Sequence, residues 1–575
     1  MFLKSLTIES EGQIIREINF HKGINFIVDE TKLAEGSKKQ SGNNIGKTTV
    51  LRLINFCLGG SDTGIYQSKE FKKNNNEEVK AFLIDNEVLI TLRLRDSLDD
   101  LYSKQVEIRR NFLNYRKKIL EINNEPVKLS DLDSELKRLI FGYEDDKPTF
   151  KQLKAKNIRD DAERLENTIK VLGSFGRLEE YEALYLFWLG VSYPDAEKKR
   201  SLLEDRKSED KQVNRLESVD SESKIKQFLT IVERDIEEFE YKKTNFNINE
   251  DYEGELASLN EIKANLNSLY AKQSLLSLRK ELIEESRTEL ERDIASDEVS
   301  QVAALYSKAK VFIPNLEKSY EDIVSFHNTM ILEKVHYVTA ELPRIQEQLT
   351  GLISDIQTGL IKEQELVDSL QKADALEELE LIITELNILH EQKGRLEEKQ
   401  EQLRKAKETL VEIDLKLMNI DASILDLDGL VQERVTAFNV FFSDISQRLY
   451  GEKFAMSAPF EKAKNTETSF YKLNIDSVNG QTGTGKKKGE IAAFDIAYVK
   501  FADKENIPSL HFILHDQMEV VDDNQIVGLV KEVISANCQL IVPILRDKLP
   551  KELDKPEYQV LSLSQDDKLF RIENN

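Results

Sequence analysis

Leu259, Ile262, Leu266, Leu269, Leu276, Ile283, Leu290 and Ile294 fall on one alternating three-then-four spacing. Leu379, Ile382, Leu386, Leu389, Leu396, Leu403, Leu410, Leu417 and Ile424 fall on a second. An apolar residue every 3.5 positions, sustained this long, keeps one seam of a helix facing another helix and is the pattern of a coiled coil. The skipped positions hold Gln273, Lys280 and Arg287 in the first run, and Lys393, Gln400, Lys407, Asp414 and Asp421 in the second. These polar residues recur on the alternate row of the seam, which predicts a thin seam and a pliable coil, not a stiff rod. Pro314 and Pro343 stand between the runs, and proline interrupts long helices. The pattern predicts a long antiparallel hairpin over residues 195–428, with a turn or small head near 296–345. An unbroken arm of about 100 residues would reach roughly 150 Å. The segment NFNINEDYEGE, near 245–255, is expected to break the first arm and shorten that reach.

The flanks differ in character. Residues 1–194 contain short β-branched or apolar runs (LKSLTI, INFIVDE, EVKAFLI, VLITLRLR) that read as strands, and KILEINNEPVKL reads as a hairpin around Asn-Asn. Residues 429–575 return to globular patterning. FNVFFSDISQRLYG is an apolar-periodic helix, FEKAKNTETSFYKLNIDSVNG reads as paired strands, and LHFILHD and CQLIVPIL read as buried strands. The plan is globular, helical hairpin, globular, which brings the two ends of the chain side by side.

Composition excludes several classes. With 23 Gly and 10 Pro in 575 residues the chain is neither collagen-like nor a Gly/Pro-rich disordered polymer. Two cysteines, Cys57 and Cys538, cannot build a disulfide framework, which points to a reducing, cytoplasmic compartment. No apolar run approaches the roughly 20 residues of a membrane span, and MFLKSLTIESEG lacks a secretory pattern. Against 105 acidic side chains stand 81 basic ones, a net charge of −24. Taken whole, that balance does not favour nucleic acid; KKTNF, LRKEL and GKKKGE are only local basic spots.

Chemistry concentrates at two places. After the strand INFIVDE comes SGNNIGKTTVLRLINFCLGG, in which Gly46-Lys47-Thr48 opens a helix carrying Val50, Leu51, Leu53, Ile54 and Phe56. Backbone N–H groups curling around phosphates need glycine's freedom, a lysine meets the β- and γ-phosphates, and a Thr hydroxyl ligates Mg²⁺. The helix N-terminus adds its dipole. The full pattern wants Gly at position 41; this chain has Ser41, with Gly42 one place later. Far along the chain, Phe512, Ile513 and Leu514 run into His515 and Asp516, an apolar strand ending in the acid such a site needs for Mg²⁺. So long a separation suits a nucleotide domain split in two by the hairpin. Just upstream, GKKKGEIAAFDIAYVKFA places Gly489-Glu490 at the opening of an apolar helix, a second candidate for an anion.

NNIGKTTVLRLINFCLGG, SFHNTMILEKVHYVTAEL, GEIAAFDIAYV and FILHDQ together resemble the SMC-like ATPases, nearest the short bacterial members of multi-component anti-phage systems. The resemblance implies an α/β ABC-type ATPase head split by a long antiparallel coiled-coil hairpin, with ATP and Mg²⁺ as cofactors. It assigns residues 41–49 to the Walker A loop: Ser41, Gly42, Asn43, Asn44, Gly46, Lys47, Thr48 and Thr49. Lys47 would meet phosphate and Thr48 Mg²⁺. Asp516 becomes the Walker B acid, and Gln152 a Q-loop ligand. Gly489 and Glu490 enter the signature motif that meets the nucleotide of the opposite subunit, with Val521 and Asp522 in the D-loop. Two heads would sandwich two ATP molecules, making a homodimer, with protein partners of a multi-component system and DNA as further candidates and no membrane.

Three departures qualify the likeness. Lys487 and Lys488 precede Gly489-Glu490 where Ser-Gly is usual, leaving Thr484 as a substitute for the serine contact. Gln517 stands where a catalytic Glu usually polarises water. Arg546 stands near the position of an absent switch histidine. Gln orients water but cannot take its proton, and general-base help is worth roughly 10²–10⁴-fold; slow hydrolysis is expected. The hairpin holds no C-x-x-C and so no zinc hook. The competing reading is a non-enzymatic coiled-coil scaffold with a degenerate nucleotide-binding head. A cytoskeletal coil without a nucleotide site is disfavoured by Gly46-Lys47-Thr48.

Overall fold

The computed structural model describes residues 1–30, 46–66, 76–113, 117–160, 162–173, 176–244, 253–294, 331–370, 375–463, 468–478, 484–516 and 523–572. They form two compact units: Met1–Leu203 with Lys416–Asn575, and Glu204–Leu415.

In the first unit, the strands of the N-terminal segment are β1 (Phe2–Ser10), β2 (Gln13–Asn19), β3 (Gly23–Asp29), β4 (Leu89–Arg95), β5 (Gln105–Asn111), β6 (Leu120–Ile122), β7 (Glu125–Pro126) and β8 (Ile158–Arg159). The C-terminal segment adds β9 (Phe454–Ser457), β10 (Phe460–Lys462), β11 (Ser469–Tyr471), β12 (Asn474–Ser477), β13 (Phe512–His515), β14 (Gln539–Leu545) and β15 (Gln559–Leu563). One sheet is antiparallel, in the order β2-β1-β4-β5-β6-β7. The other is parallel, in the order β15-β3-β14-β13-β8, and it interleaves strands from the two ends of the chain. Its central strands carry near-continuous apolar runs, as strands covered on both faces do. The Gln539 side chain pins the sheets together: it accepts from Leu3 N–H at 2.7 Å and donates to the Leu3 carbonyl at 2.8 Å.

Asn123 and Asn124 adopt φ 51° and 67°, the left-handed turn that the β6–β7 hairpin requires. The FEKAKNTETSFYKLNIDSVNG strands pair as β10–β11 and β12–β9. EVKAFLI, expected as a strand, lies instead in a helix over Glu77–Asp85. Asn76 caps it by accepting from Val79 N–H at 3.1 Å, and Glu77 and Glu78 suit the positive end of its dipole. These local signals outweigh the β-branched content.

The helices used below are α1 (Lys47–Cys57), α2 (Phe150–Leu153), α3 (Leu178–Trp188), α4 (Ala196–Val219), α5 (Glu222–Thr244), α6 (Glu253–Ile294), α7 (Leu342–Leu370), α8 (Ala375–Leu425), α9 (Asp428–Tyr450), α10 (Thr484–Lys504) and α11 (Asp523–Ser535). In the first unit, Phe438 and Phe442 of α9 pack with Phe494 and Phe501 of α10 in an aromatic core that also takes Trp188.

Within the second unit the helices pair antiparallel, as the heptads imply, but the single long hairpin is not what the described residues form. Val232 and Ile236 of α5 pack on Ile382 and Leu386 of α8, and Val213 of α4 packs on Leu403 and Ala406. Lys399–Asp220 and Lys407–Glu217, both 2.8 Å, and Lys393–Glu233, 3.0 Å, follow the same register. A second antiparallel pair, α6 with α7, is marked by Lys263–Glu363 at 3.3 Å and Arg279–Glu341 at 2.8 Å. This second pair lies back along the first. Gly394 of α8 faces the Ala271 carbonyl and the Leu275 amide, Arg215 donates to Ser286, and Lys334 donates to Ser208. α5 ends at Thr244 and α6 begins at Glu253; residues 245–252, where the break in NFNINEDYEGE is expected, lie outside the described residues. Most of the expected apex, residues 295–330, lies outside the described residues.

Candidate functional site

Parallel strands of one sheet end on the same edge, and this places the site. Asp29 closes β3, and Asp516 follows β13 two strands away, with β14 between. At ~4.8 Å per strand these ends lie roughly 10 Å apart. The N-terminus of α1 spans the gap. Lys47 Nζ pairs with Asp29 Oδ2 at 3.4 Å, and Thr48 Oγ1 donates to Asp516 Oδ1 at 3.4 Å. Two consecutive residues of the lysine loop thus meet one carboxylate from each end of the chain. Gly46 holds φ 96°, a left-handed conformation that turns the chain into α1. A Cβ there would stand 2.7 Å from Leu569 Cβ, so the C-terminal tail packs directly on the loop's last glycine. Arg16 of β2 fastens that tail: it donates to the Lys568 carbonyl at 2.9 Å, to Leu569 O at 3.3 Å and to the Asp567 carboxylate.

The residues expected in the site are not all brought to it. Ser41, Gly42, Asn43, Asn44, Gln517, Val521 and Asp522 lie outside the described residues. Thr49 sits in the first turn of α1. Gln152 is committed locally: its Oε1 accepts from Thr149 N–H at 2.9 Å and its N–H donates to Thr149 Oγ1 at 3.3 Å, a capping box on α2. The residue at the strand end beside Asp516 is Asp160, which directly follows β8; Asn55 of α1 reaches its carboxylate at 3.4 Å. Gly489 and Glu490 do not open their helix, because α10 already begins at Thr484; the intervening lysines are good helix formers and carry it forward. A Cβ on Gly489 would strike the Tyr450 ring at 2.5–2.7 Å, and Glu490 is buried, accepting from the Thr168 hydroxyl.

Arg546 is held by Glu30, which accepts from Nε at 2.9 Å and whose carboxyl this bond keeps below the usual range. His515 is buried at the end of β13, its Nδ1 3.0 Å from the Asp516 carbonyl. Burial pushes the Cys57 and Cys538 thiols up to about 12, which makes poor nucleophiles of both.

Sequence reasoning missed Asp29, Asp160, Arg159 and Leu569. Asp29 carried a readable signal: INFIVD is an apolar strand ending in Asp, like FILHD. Among the described residues no group of three or more His, Cys, Asp or Glu side chains is set to hold a metal ion. Thr48 with Asp516 instead offers two oxygen donors. That suits Mg²⁺, which takes one or two protein oxygens and completes its shell with water and substrate phosphates.

Residues 445–574, which include β13, Asp516 and the tail on Gly46, match a family described as an uncharacterised protein conserved in bacteria (DUF2326). Over 403 residues the chain is 21% identical to the uncharacterized protein YydD of Bacillus subtilis (strain 168); the match covers 68% of this chain and 64% of that relative's length. Among solved structures, the chain is similar to the Smc head domain with a coiled coil and joint from Pyrococcus yayanosii: 15% identity, 96% and 94% of the two chains, TM-score 0.40. It is also similar to the recombination mediator RecF with ATP: 11% identity, 94% and 91% covered, TM-score 0.32. Among the described residues no helix is long and apolar enough to cross a membrane.

Proposed function

We propose that this protein is an SMC-like ATPase. Its heads dimerise on Mg²⁺-ATP, bind or sense DNA, and control partner proteins of a multi-component system, in bacterial anti-phage defence. The observation that carries the reading is the meeting of Thr48 with Asp516 across a sequence separation of 468, beside Lys47 on the same turn. In this reading Lys47 meets the β- and γ-phosphates, while Thr48 and Asp516 hold Mg²⁺. The ion would supply charge neutralisation at the phosphates. The α1 dipole and the loop amides orient the triphosphate. Gln517 positions water without accepting its proton, so turnover is slow and the ATP-bound dimer long-lived. The DNA and defence roles rest on the resemblance of the segments quoted above, since the net charge of −24 does not itself draw nucleic acid.

The test is molar mass in solution with and without Mg²⁺-ATP, for the wild type and Lys47→Ala, with linear and circular DNA. An ATP-dependent dimer lost in Lys47→Ala is expected; a mass indifferent to ATP in both sinks the proposal. Gln517 also favours a second reading, a scaffold whose head binds nucleotide and barely hydrolyses it. Single-turnover hydrolysis of wild type and Gln517→Glu separates the two: faster cleavage in the variant marks a working, slowed ATPase. Absence of cleavage in both marks the scaffold.

A further inference from the structure

We propose that Arg159 is a positioning residue that couples the Asp516 end of the nucleotide site to the Gly489–Glu490 segment. The inference rests on the ATPase reading and adds to it the route by which one head's nucleotide is felt at the segment that would meet the opposite subunit.

Arg159 ends β8, opposite His515 of β13, and its carbonyl accepts from Asp516 N–H at 2.9 Å. Its backbone is therefore the direct neighbour of the acid that faces Thr48. Its side chain is wholly buried and points the other way, into α10. There Nε donates to Asp495 Oδ2 at 3.0 Å and Nη2 to Asp495 Oδ1 at 2.7 Å, a two-pronged pair with a carboxylate that is itself buried. The remaining N–H groups bind the short helix Ala162–Glu166 and the turn that follows it: Nη1 donates to the Arg164 carbonyl at 2.9 Å and to Asn167 O at 2.7 Å, and Nη2 to Thr168 O at 3.0 Å. Thr168 then turns its hydroxyl to Glu490, and both side chains are buried.

One guanidinium thus joins the strand beside Asp516, the 164–168 segment and α10, and that segment passes the connection to Glu490. An arginine's fork is planar and stiff, so movement of β8 is transmitted and not absorbed. An apolar filler would pack this space without desolvating two charges. The ion pair instead fixes a single register between β8 and α10. Only that register sets Glu490 against Thr168.

The experiment uses the full chain and four variants: Thr168→Val, Thr168→Ser, Asp495→Asn and Arg159→Lys. For each, affinity for a fluorescent, slowly hydrolysed ATP analogue, the ATP-driven dimerisation constant and the melting temperature are measured. Thr168→Val is expected to bind the analogue within about twofold of wild type yet dimerise about tenfold more weakly, the cost of one charge-assisted hydrogen bond. Thr168→Ser, which keeps the hydroxyl, is expected to restore dimerisation. Asp495→Asn and Arg159→Lys are expected to show the same split, so the idea does not depend on one variant folding. Dimerisation unchanged in Thr168→Val, or affinity and dimerisation falling together in all four, refutes the coupling. A wild type that binds no nucleotide sinks the ATPase reading itself, a result distinct from either.

Discussion

Asp29 is the sharpest test of how the lysine loop works. Its carboxylate is fully buried, 3.4 Å from Lys47 Nζ, so the cation that should greet phosphate already has an anionic neighbour. At that distance and an effective dielectric of about 20, the bare Coulomb attraction is about 5 kcal/mol before desolvation is subtracted. A phosphate oxygen seated on the far side of Nζ would stand ~6 Å from the same carboxylate, where each unit of phosphate charge is repelled by ~3 kcal/mol. The attraction persists when phosphate is seated there, so the repulsion alone favours the nucleotide-free state. Asp29→Asn keeps the shape and removes the charge. If half of one unit's repulsion survives screening by the bound cation, ~1.4 kcal/mol remains, which is a tenfold change in affinity. Calorimetric titration with a slowly hydrolysed ATP analogue and Mg²⁺ should therefore give a dissociation constant about tenfold lower for Asp29→Asn than for wild type. Affinity that is unchanged or weaker would mean that Asp29 orients Lys47 for phosphate instead of competing with it.

Three further outcomes are expected. Gly46→Ala forces a side chain into a left-handed turn and against Leu569 Cβ, a cost of about 1–3 kcal/mol; thermal denaturation and analogue binding should both report the loss, and Leu569→Gly in the same chain, which removes that Cβ, should recover part of the analogue binding. Lys199 is buried between Glu182 Oε2 at 2.7 Å, Asp421 Oδ1 at 2.9 Å and the Ser469 carbonyl at 2.8 Å; Lys199→Met strands two carboxylates and should lower the unfolding free energy in urea by about 3–5 kcal/mol, whereas a change under 1 kcal/mol would show the network to be dispensable. Lys156 lies buried over the Tyr498 ring, and burial pushes its ammonium down to about 7, with Arg159 lowering it further and Asp495 opposing. The unfolded lysine holds its proton to about 10.4, so between about pH 7 and 10 the unfolded chain binds more protons and stability rises with pH, by up to ~1.4 kcal/mol per unit. Lys156→Met should flatten that rise, leaving the similar share of Lys154, also pushed to about 7; identical slopes in wild type and variant would count against burial as the cause.

What could be read from the sequence was what local chemistry decides. β1, β3, β13 and β14 were legible because strands buried in a sheet are continuous apolar runs, and the β6–β7 turn because Asn-Asn tolerates left-handed backbone. The meeting of Thr48 with Asp516, beside Lys47, was legible because a glycine-lysine-threonine turn opening a helix and an acid ending an apolar strand stand out along the chain. The doubling back of α6 and α7 was not. It depends on Lys263 being buried against Glu363, and on Gly394 admitting a neighbouring backbone, neither of which heptad spacing reports. The capping role of Gln152 was not read, because its oxygen serves Thr149 only three residues before it. Arg159 and Thr168 were invisible because their partners, Asp495 and Glu490, stand 336 and 322 positions distant. No window along the chain contains both members of either pair.

The point where the chain leaves the globular unit explains how such distant partners can meet. Lys199 lies on α4 shortly before that exit and Asp421 on α8 shortly after the return, and the two are 2.9 Å apart, both bonded to Ser469 of β11. The excursion from Glu204 to Leu415 therefore begins and ends at one buried ion pair. Closing a loop costs only ~0.6 kcal/mol more for each doubling of its length, so a long insertion at this junction burdens the fold little. What it does burden is autonomy. β3 lies between β14 and β15, and β13 lies between β14 and β8, so neither end of the chain has a complete parallel sheet without the other. The Lys47–Thr48 turn acquires its Asp516 only after the whole excursion has been threaded through, which makes the site a property of the closed unit and of neither lobe alone.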